Sequence, residues 1–176
     1  MARIAALTVL LLAFAACRSD EIVPGALDLP ALQVDLPAGW ERQAPTSGMR
    51  AAQARVLGPG GAAEFTVFHF GEGKGGSVAE NLQRWSDQIE FAPGSSTARE
   101  EFAANGYTIY RVDFAGTLKA GTMGMGPAEP QPNSRILGAI VEGPGGPWYF
   151  KLTGPDATVE QHRDVFLRML ESVRAR

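Results

Sequence analysis

Residues 136–153 read Ile-Leu-Gly-Ala-Ile-Val-Glu-Gly-Pro-Gly-Gly-Pro-Trp-Tyr-Phe-Lys-Leu-Thr. The apolar run Ile136–Glu142 is a strand, and Gly143-Pro144-Gly145-Gly146-Pro147 punctuates it as a turn. Trp148–Thr153 returns as the hairpin partner. A connection this short makes the two strands antiparallel. Pro155-Asp156-Ala157-Thr158 then leads into a helix over about Val159–Arg174, with Val159, Phe166, Met169, Leu170 and Val173 on its inner face. A hairpin followed by an amphipathic helix is the grammar of an α+β domain, in which helices cover an antiparallel sheet.

The same grammar extends upstream. Tyr107–Leu118 is a long strand with Tyr107, Ile109, Arg111 and Asp113 on one face, entered from the hairpin signal Asn105-Gly106 and a short strand at Glu100–Ala103. Ser77-Val78-Ala79-Glu80 is a capping box that starts a helix. Val78, Leu82, Trp85 and Ile89 form its apolar stripe, and Pro93-Gly94 ends it. Leu32–Leu36, Ala51–Leu57 and Glu64–Phe70 are further strands. Trp40, after the turn Pro37-Ala38-Gly39, plugs an edge of the core. The expected fold is α+β: a largely antiparallel sheet of about six strands flanked by two main helices, an α/β/α sandwich.

Composition narrows the function classes. The chain has 176 residues, 45% hydrophobic and 20% charged, with 16 basic against 19 acidic side chains. That size suits a single domain, and the acidic balance opposes a nucleic-acid-binding stripe. One cysteine excludes an internal disulfide framework, and two distant histidines leave little for zinc. No cofactor motif is present, so no metal or cofactor is expected.

The amino terminus is an address. Arg3 is followed by an uncharged, mostly apolar run, Ile4–Ala16, which is too short for a bilayer-spanning helix but right for the core of a secretory signal. The segment closes Ala13-Phe14-Ala15-Ala16-Cys17 and resembles the bacterial lipoprotein signal, in which small residues precede a cysteine that is acylated and becomes the first residue. Ala15, Ala16 and Cys17 match, and Phe14 stands where that family usually has Leu. The alternative is an ordinary secretory signal cut at Ala13-Phe14-Ala15. The resemblance implies a signal peptide at 1–16 and lipidation of Cys17; the acidic, Pro-Gly-containing stretch after it, without a clear period, reads as a tether over 17–29, and the absence of any later boundary or repeat as one domain over 30–176. The resemblance places the protein in the bacterial cell envelope, held to a membrane through Cys17 on the periplasmic side. In the enterobacterial form of that signal Asp after the cysteine favours inner-membrane retention, so with Arg18 there the resemblance implies the outer membrane. Loss of Arg3 takes the formal charge from −3 to −4.

The opening strand into Leu36-Pro37-Ala38-Gly39-Trp40, the helix after a glycine-rich loop, the Gly143–Phe150 hairpin and the closing helix together resemble the PsbP-like fold group. That group includes the extrinsic PsbP subunit of photosystem II and a family of Ran-binding nuclear transport factors. The chain more closely resembles a set of uncharacterised bacterial envelope lipoproteins. The resemblance covers about Pro30–Arg174 and implies an antiparallel sheet between helices. It contains no catalytic motif, so only the fold carries over.

Candidate sites are few. Gly73, Lys74, Gly75, Gly76 and Ser77 join a strand to a helix start, where free amides and Lys74 suit an anion; the plainer reading is a turn and a helix cap. Neither phosphate-loop nor dinucleotide spacing is present, and Ser77 lies outside any nucleophile motif. His69 inside an apolar strand reads as a core histidine bonded to backbone, and His162 as part of a solvated helix face. Arg111 and Asp113 share a strand face and read as a surface ion pair. Glu100-Glu101 and Asp87–Glu90 lack calcium-loop spacing. Lys119–Asn133 is a loop rich in Gly and Pro, and its Met123 and Met125 suit an adaptable partner contact.

The leading expectation is a non-enzymatic, lipid-anchored binding module that contacts a protein partner through the Lys119–Asn133 loop and neighbouring strand ends. A second is a small-molecule or lipid binder with a pocket between sheet and helix, lined by Trp85, Phe68 or Trp148. A third is a hydrolase whose site is dispersed in sequence. No catalytic residue is assigned.

Overall fold

The computed structural model describes residues 25–95, 97–121 and 126–176. The hairpin at 136–153 is its centre. β9 (Gln131–Gly143) and β10 (Gly146–Pro155) pair antiparallel, with Trp148 opposite Val141 and Gly146 opposite Gly143. β10 also pairs with β5 (Ala63–His69), Phe150 opposite Val67, so it is flanked on both edges. An interior strand covered on both faces must be apolar on both; Trp148, Tyr149 and Phe150 are accordingly all buried.

The main sheet is completed by β3 (Trp40–Gln43), β4 (Arg50–Val56), β6 (Ile89–Phe91) and β8 (Tyr107–Leu118), in the order β3-β4-β5-β10-β9-β8-β6. β7 (Thr97–Ala104) pairs with the first part of β8. All these pairings are antiparallel. A second sheet joins β1 (Ala26–Asp28), β2 (Leu32–Asp35) and β11 (Arg174–Ala175) in the order β1-β2-β11. Among the described residues the helices are α1 (Val78–Asp87), α2 (Asp156–Gln161) and α3 (Arg163–Glu171).

One face of the main sheet packs Phe65, Leu137, Phe150 and Leu152 against β1, β2 and α3, whose Phe166, Met169 and Leu170 complete that core. The opposite face packs Val112, Phe114, Ile136 and Ile140 against Leu82 and Trp85 of α1. α1 comes close because β9 carries glycine beneath it: a Cβ at Gly138 would stand 2.5 Å from the Trp85 ring.

The structure corrects the sequence reading in five places. The expected tether ends in structure: Ala26–Asp28 is β1, and Leu27 and Leu29 are buried against the core. Among the described residues the main sheet has eight strands rather than about six, and three more form a second sheet. α1 stops at Asp87, and Ile89 belongs to β6 opposite Leu118, because the β-prone Ile-Glu-Phe run finds an open edge on β8. The closing helix is two helices, α2 and α3, meeting at His162, and β11 takes its last residues. Finally, the loop expected over Lys119–Asn133 is shorter, since β9 begins at Gln131.

Candidate functional site

α1 covers only part of its sheet face. Beyond it, the side chains of β3, β4 and β5 that alternate with core residues are polar, and they are wired together. Gln53, almost wholly buried, accepts from the Thr46 amide and hydroxyl at 3.2 Å each and from Arg50 Nη1 at 2.8 Å. Its Nε2 donates to Glu64 Oε1 at 3.2 Å and to Gln43 Oε1 at 3.4 Å. Arg50 Nη1 also pairs with Glu64 Oε1 at 2.7 Å, and its guanidinium lies 6.0 Å from the Phe68 ring centre. Period-two alternation puts these groups on one face. Antiparallel register then closes the network, with Gln53 opposite Gln43 and Thr66.

Lys151 and Thr153 continue this face on β10. Lys151 is half-buried, opposite Thr66 on β5 and Gly138 on β9, and its Nζ donates to the Gln88 carboxamide. Burial pushes its pKa down to about 8; Glu64 opposes that shift and Arg50 adds to it. Thr153 Oγ1 is buried without a hydrogen-bond partner. A cleft of about 950 Å³ opens at this end of the sheet. Arg50, Arg55, Glu64 and Thr153 line its sheet side, Asp156 and Ala157 its α2 side, and Gly126, Pro127 and Gln131–Ser134 the third wall. That wall is closed at its neck by the Gly121 amide donating to the Pro127 carbonyl at 2.8 Å.

A second charged cluster lies on the opposite face, between the sheet and the helices. Arg135 contacts Asp113 at 2.8 Å, Asp156 at 2.7 Å and Glu160 at 2.9 Å, and Arg163 contacts Asp113 at 2.9 Å and Glu160 at 2.7 Å. Burial works against the charge on Arg135, but the Asp156 hydrogen bond and the three carboxylates outweigh it and raise its pKa. The cluster fastens α2 to the sheet and so holds one wall of the cleft.

Each residue singled out from sequence now has a place. Ser77 caps α1: Glu80 N donates to Ser77 Oγ at 3.2 Å, while Ser77 N and Oγ both donate to Glu80 Oε2 at 2.8 Å. These bonds, the backbone one foremost, hold the Glu80 carboxyl below its ordinary pKa. That carboxylate thus stands at the helix start where the anion reading of Gly73–Ser77 would seat a ligand. Lys74 N donates to Gly71 O, and the loop makes a turn. His69 stacks on Trp148 with ring centres 3.8 Å apart, its Nδ1 3.2 Å from Pro147 O, as a core histidine bonded to backbone.

His162 is not part of a solvated face. It is half-buried, its Nδ1 accepts from Trp40 Nε1 at 3.2 Å, and its Nε2 stands 3.1 Å from Leu57 O, which fixes the tautomer with the proton on Nε2. Arg111 and Asp113 share a face but not a bond. Arg111 pairs with Glu100 of β7, and Asp113 is buried beside Arg135 and Arg163. Trp148 packs on one side of the sheet and Trp85 and Phe68 on the other, so the three line no common pocket. Cys17, Met123 and Met125 lie outside the described residues. Among those residues no group of three or more His, Cys, Asp or Glu is placed to hold a metal ion. Among them, too, no helix is long and apolar enough to cross a membrane.

Sequence reasoning missed the polar half-face. The signals were the alternation Arg50-Ala-Ala-Gln53-Ala-Arg55-Val and a lone lysine inside Trp148-Tyr-Phe-Lys-Leu-Thr153. Neither says which strands stand side by side.

No protein-family model matches the sequence, and no curated protein matches it. Solved structures resemble its fold. The solution structure of cyanobacterial PsbP (CyanoP) from Synechocystis sp. PCC 6803 aligns with a TM-score of 0.52 at 12% identity, over 82% of this chain and 86% of that one. A Pseudomonas aeruginosa protein of unknown function, PA94, aligns with a TM-score of 0.49 at 13% identity, over 82% and 91%. The chain has a PsbP-like α+β fold, as its element order implied, and the likeness at this identity concerns the fold alone.

Proposed function

We propose that this chain is a lipid-anchored protein of the bacterial cell envelope whose domain is a non-enzymatic docking module for a protein partner. The observation that carries the reading is the cleft walled by Gly126, Pro127 and Gln131–Ser134 on one side and by the ends of β4, β5 and β10 on the other. The sequence marks the same connection by its Gly, Pro and Met content as a partner-contacting element. The anchoring part rests on Ala15-Ala16-Cys17 behind a short apolar run.

Cross-linking of the full-length protein in cells, followed by mass spectrometry, tests both parts. One recurrent protein should be captured by the wild type, and its capture should fall in Ala157→Arg, which fills the cleft from an exposed position on α2. In Cys17→Ser the capture should fall and the acyl mass on the amino-terminal peptide should vanish. A partner captured equally well by Ala157→Arg overturns the cleft as the docking surface, and an unacylated wild-type Cys17 overturns the anchor.

A further inference from the structure

We propose that the polar half of the α1-side sheet face is an anion-binding site, taking a carboxylate or phosphate through Lys151, Arg50 and the hydroxyl of Thr153. The proposal deepens the docking reading and rests on it for the use of the cleft: it names the chemistry of the group that docks.

The argument is an inventory of uncommitted groups. The acids here are engaged. Glu64 Oε1 receives both Arg50 Nη1 and Gln53 Nε2, and Asp156 Oδ1 receives Arg135 Nε. The cations are less so, except Arg50, whose Nη1 is shared between Glu64 Oε1 and Gln53 Oε1 and which therefore offers its charge and its remaining N–H groups. Lys151 has the neutral Gln88 carboxamide as its hydrogen-bond acceptor, and among the described residues it forms no ion pair within 4.0 Å. Arg55 reaches Glu41 only at 3.7 Å, with both side chains about half exposed. An exposed pair of that kind contributes little.

Two of the donors share one strand face. Lys151 and Thr153 are alternate residues of β10, so their side chains leave the same face about 7 Å apart. Thr153 lines the cleft, yet its hydroxyl is buried with no partner. A buried hydroxyl in that state is destabilising unless something satisfies it. A half-buried lysine with no carboxylate within ion-pair distance carries a similar penalty, which the more distant Glu64 offsets only in part. Two unfavourable features on one strand face, two residues apart, become favourable together once an acceptor bearing negative charge is seated between them. The depressed pKa of Lys151 fits the same picture, because a bound anion restores the proton that burial disfavours. Arg50 and Thr153 line the cleft and Lys151 stands behind Thr153 on β10; the cleft is far larger than a lone anion, so the proposed charged group is the head of a larger molecule whose body lies toward Gln131–Ser134.

The chain has three lysines, Lys74, Lys119 and Lys151, which permits a direct test. The full-length protein in neutral detergent micelles is acetylated with a neutral amine reagent at constant ionic strength. Chloride, inorganic phosphate or citrate is present, and each lysine is followed by mass spectrometry. Phosphate or citrate should slow acetylation of Lys151 saturably, by about threefold at twice the dissociation constant, and leave Lys74 and Lys119 unchanged. Protection by citrate alone assigns a carboxylate, and protection by phosphate alone assigns a phosphoryl group. Arg50→Gln and Thr153→Val should each weaken the protection while the thermal transition stays cooperative. Equal slowing at all three lysines, no slowing, or full protection in Arg50→Gln overturns the site. A cross-linked partner without protection removes the anion site and leaves the docking reading; protection without a partner does the reverse.

Discussion

Arg135 of β9 donates to Asp113 of the neighbouring β8 at 2.8 Å, and the same guanidinium reaches Asp156 and Glu160 of α2 at 2.7 and 2.9 Å. One side chain therefore ties two strands to the helix that walls the cleft. Removing it leaves Asp113 buried with Arg163 alone. Breaking one side of a buried charge cluster is costly. Arg135→Met should lose about 2–4 kcal/mol in urea unfolding, less than a fully buried pair because Asp156 and Glu160 are partly exposed. A loss no larger than that of a surface substitution would show that the cluster does not hold α2.

Trp40 and His162 form a bond that crosses most of the chain length. Among the described residues the indole N–H is satisfied by Nδ1 of His162 alone, and the two rings meet edge-on at 5.9 Å. Trp40→Phe and His162→Phe should each cost about 1–3 kcal/mol, through a lost hydrogen bond and, for His162→Phe, an orphaned indole N–H on the buried Trp40. The double variant should cost less than the two together, by about 0.5–1.5 kcal/mol. Strict additivity in a double-mutant cycle would show that the pair is not coupled.

Gly138 is where α1 touches the sheet. Alanine there would put a Cβ 2.5 Å from Trp85 ring carbons and 3.0 Å from Val112. The ring must move, and overpacking of this kind costs about 1–3 kcal/mol. Gly138→Ala should lower the thermal midpoint and change the near-ultraviolet signal of Trp85. An unchanged midpoint would mean that α1 shifts freely over the sheet.

Lys151 gives a pH dependence of defined sign. Its folded pKa is lowered to about 8 from 10.5, so between those values the unfolded chain holds a proton that the folded chain releases. Stability therefore rises with pH across that window, and the penalty is fully present below it. Tyr149, whose pKa is raised by burial, acts oppositely near and above its ordinary value of 10. Lys151→Met should be more stable than wild type at pH 7, by about 3 kcal/mol at most, and the difference should shrink at pH 9. Parallel urea midpoints at pH 7 and 9 would overturn this.

Much of the fold is legible because each long element carries its own period. The alternation in Tyr107–Leu118 correctly placed Arg111 and Asp113 on one face, and the Ser77–Glu80 box marked the start of α1 to the residue. What strand parity does not carry is who stands opposite. Arg111 meets Glu100 through the β7–β8 register, while Asp113 meets Arg135 from β9 and Arg163 from the far end of the chain. Ile89 continued the stripe of α1 equally well as helix or strand; the free edge of β8, remote in sequence, decided. The candidate site was hidden for the same reason, since Arg50, Glu64, Asn133 and Thr153 become neighbours only when the four strands β4-β5-β10-β9 are in order.

β1 gives the chain a yielding point. It is joined to β2 over three residue pairs, Ala26–Asp35 to Asp28–Gln33, whereas the main sheet is held by ladders of up to ten pairs. In a chain fixed at its amino terminus, tension enters the domain at Ala26. β1 peels first, releasing Leu27 and Leu29 from the core, while β2 stays fastened by β11 and the large sheet is untouched. Were the chain anchored through Cys17 as proposed, the distance between anchor and cleft would lengthen under load by the few residues of one strand, at about 3.5 Å each, and shorten again when the load is removed. A partner gripped at the cleft would be held by a spring rather than by a rod.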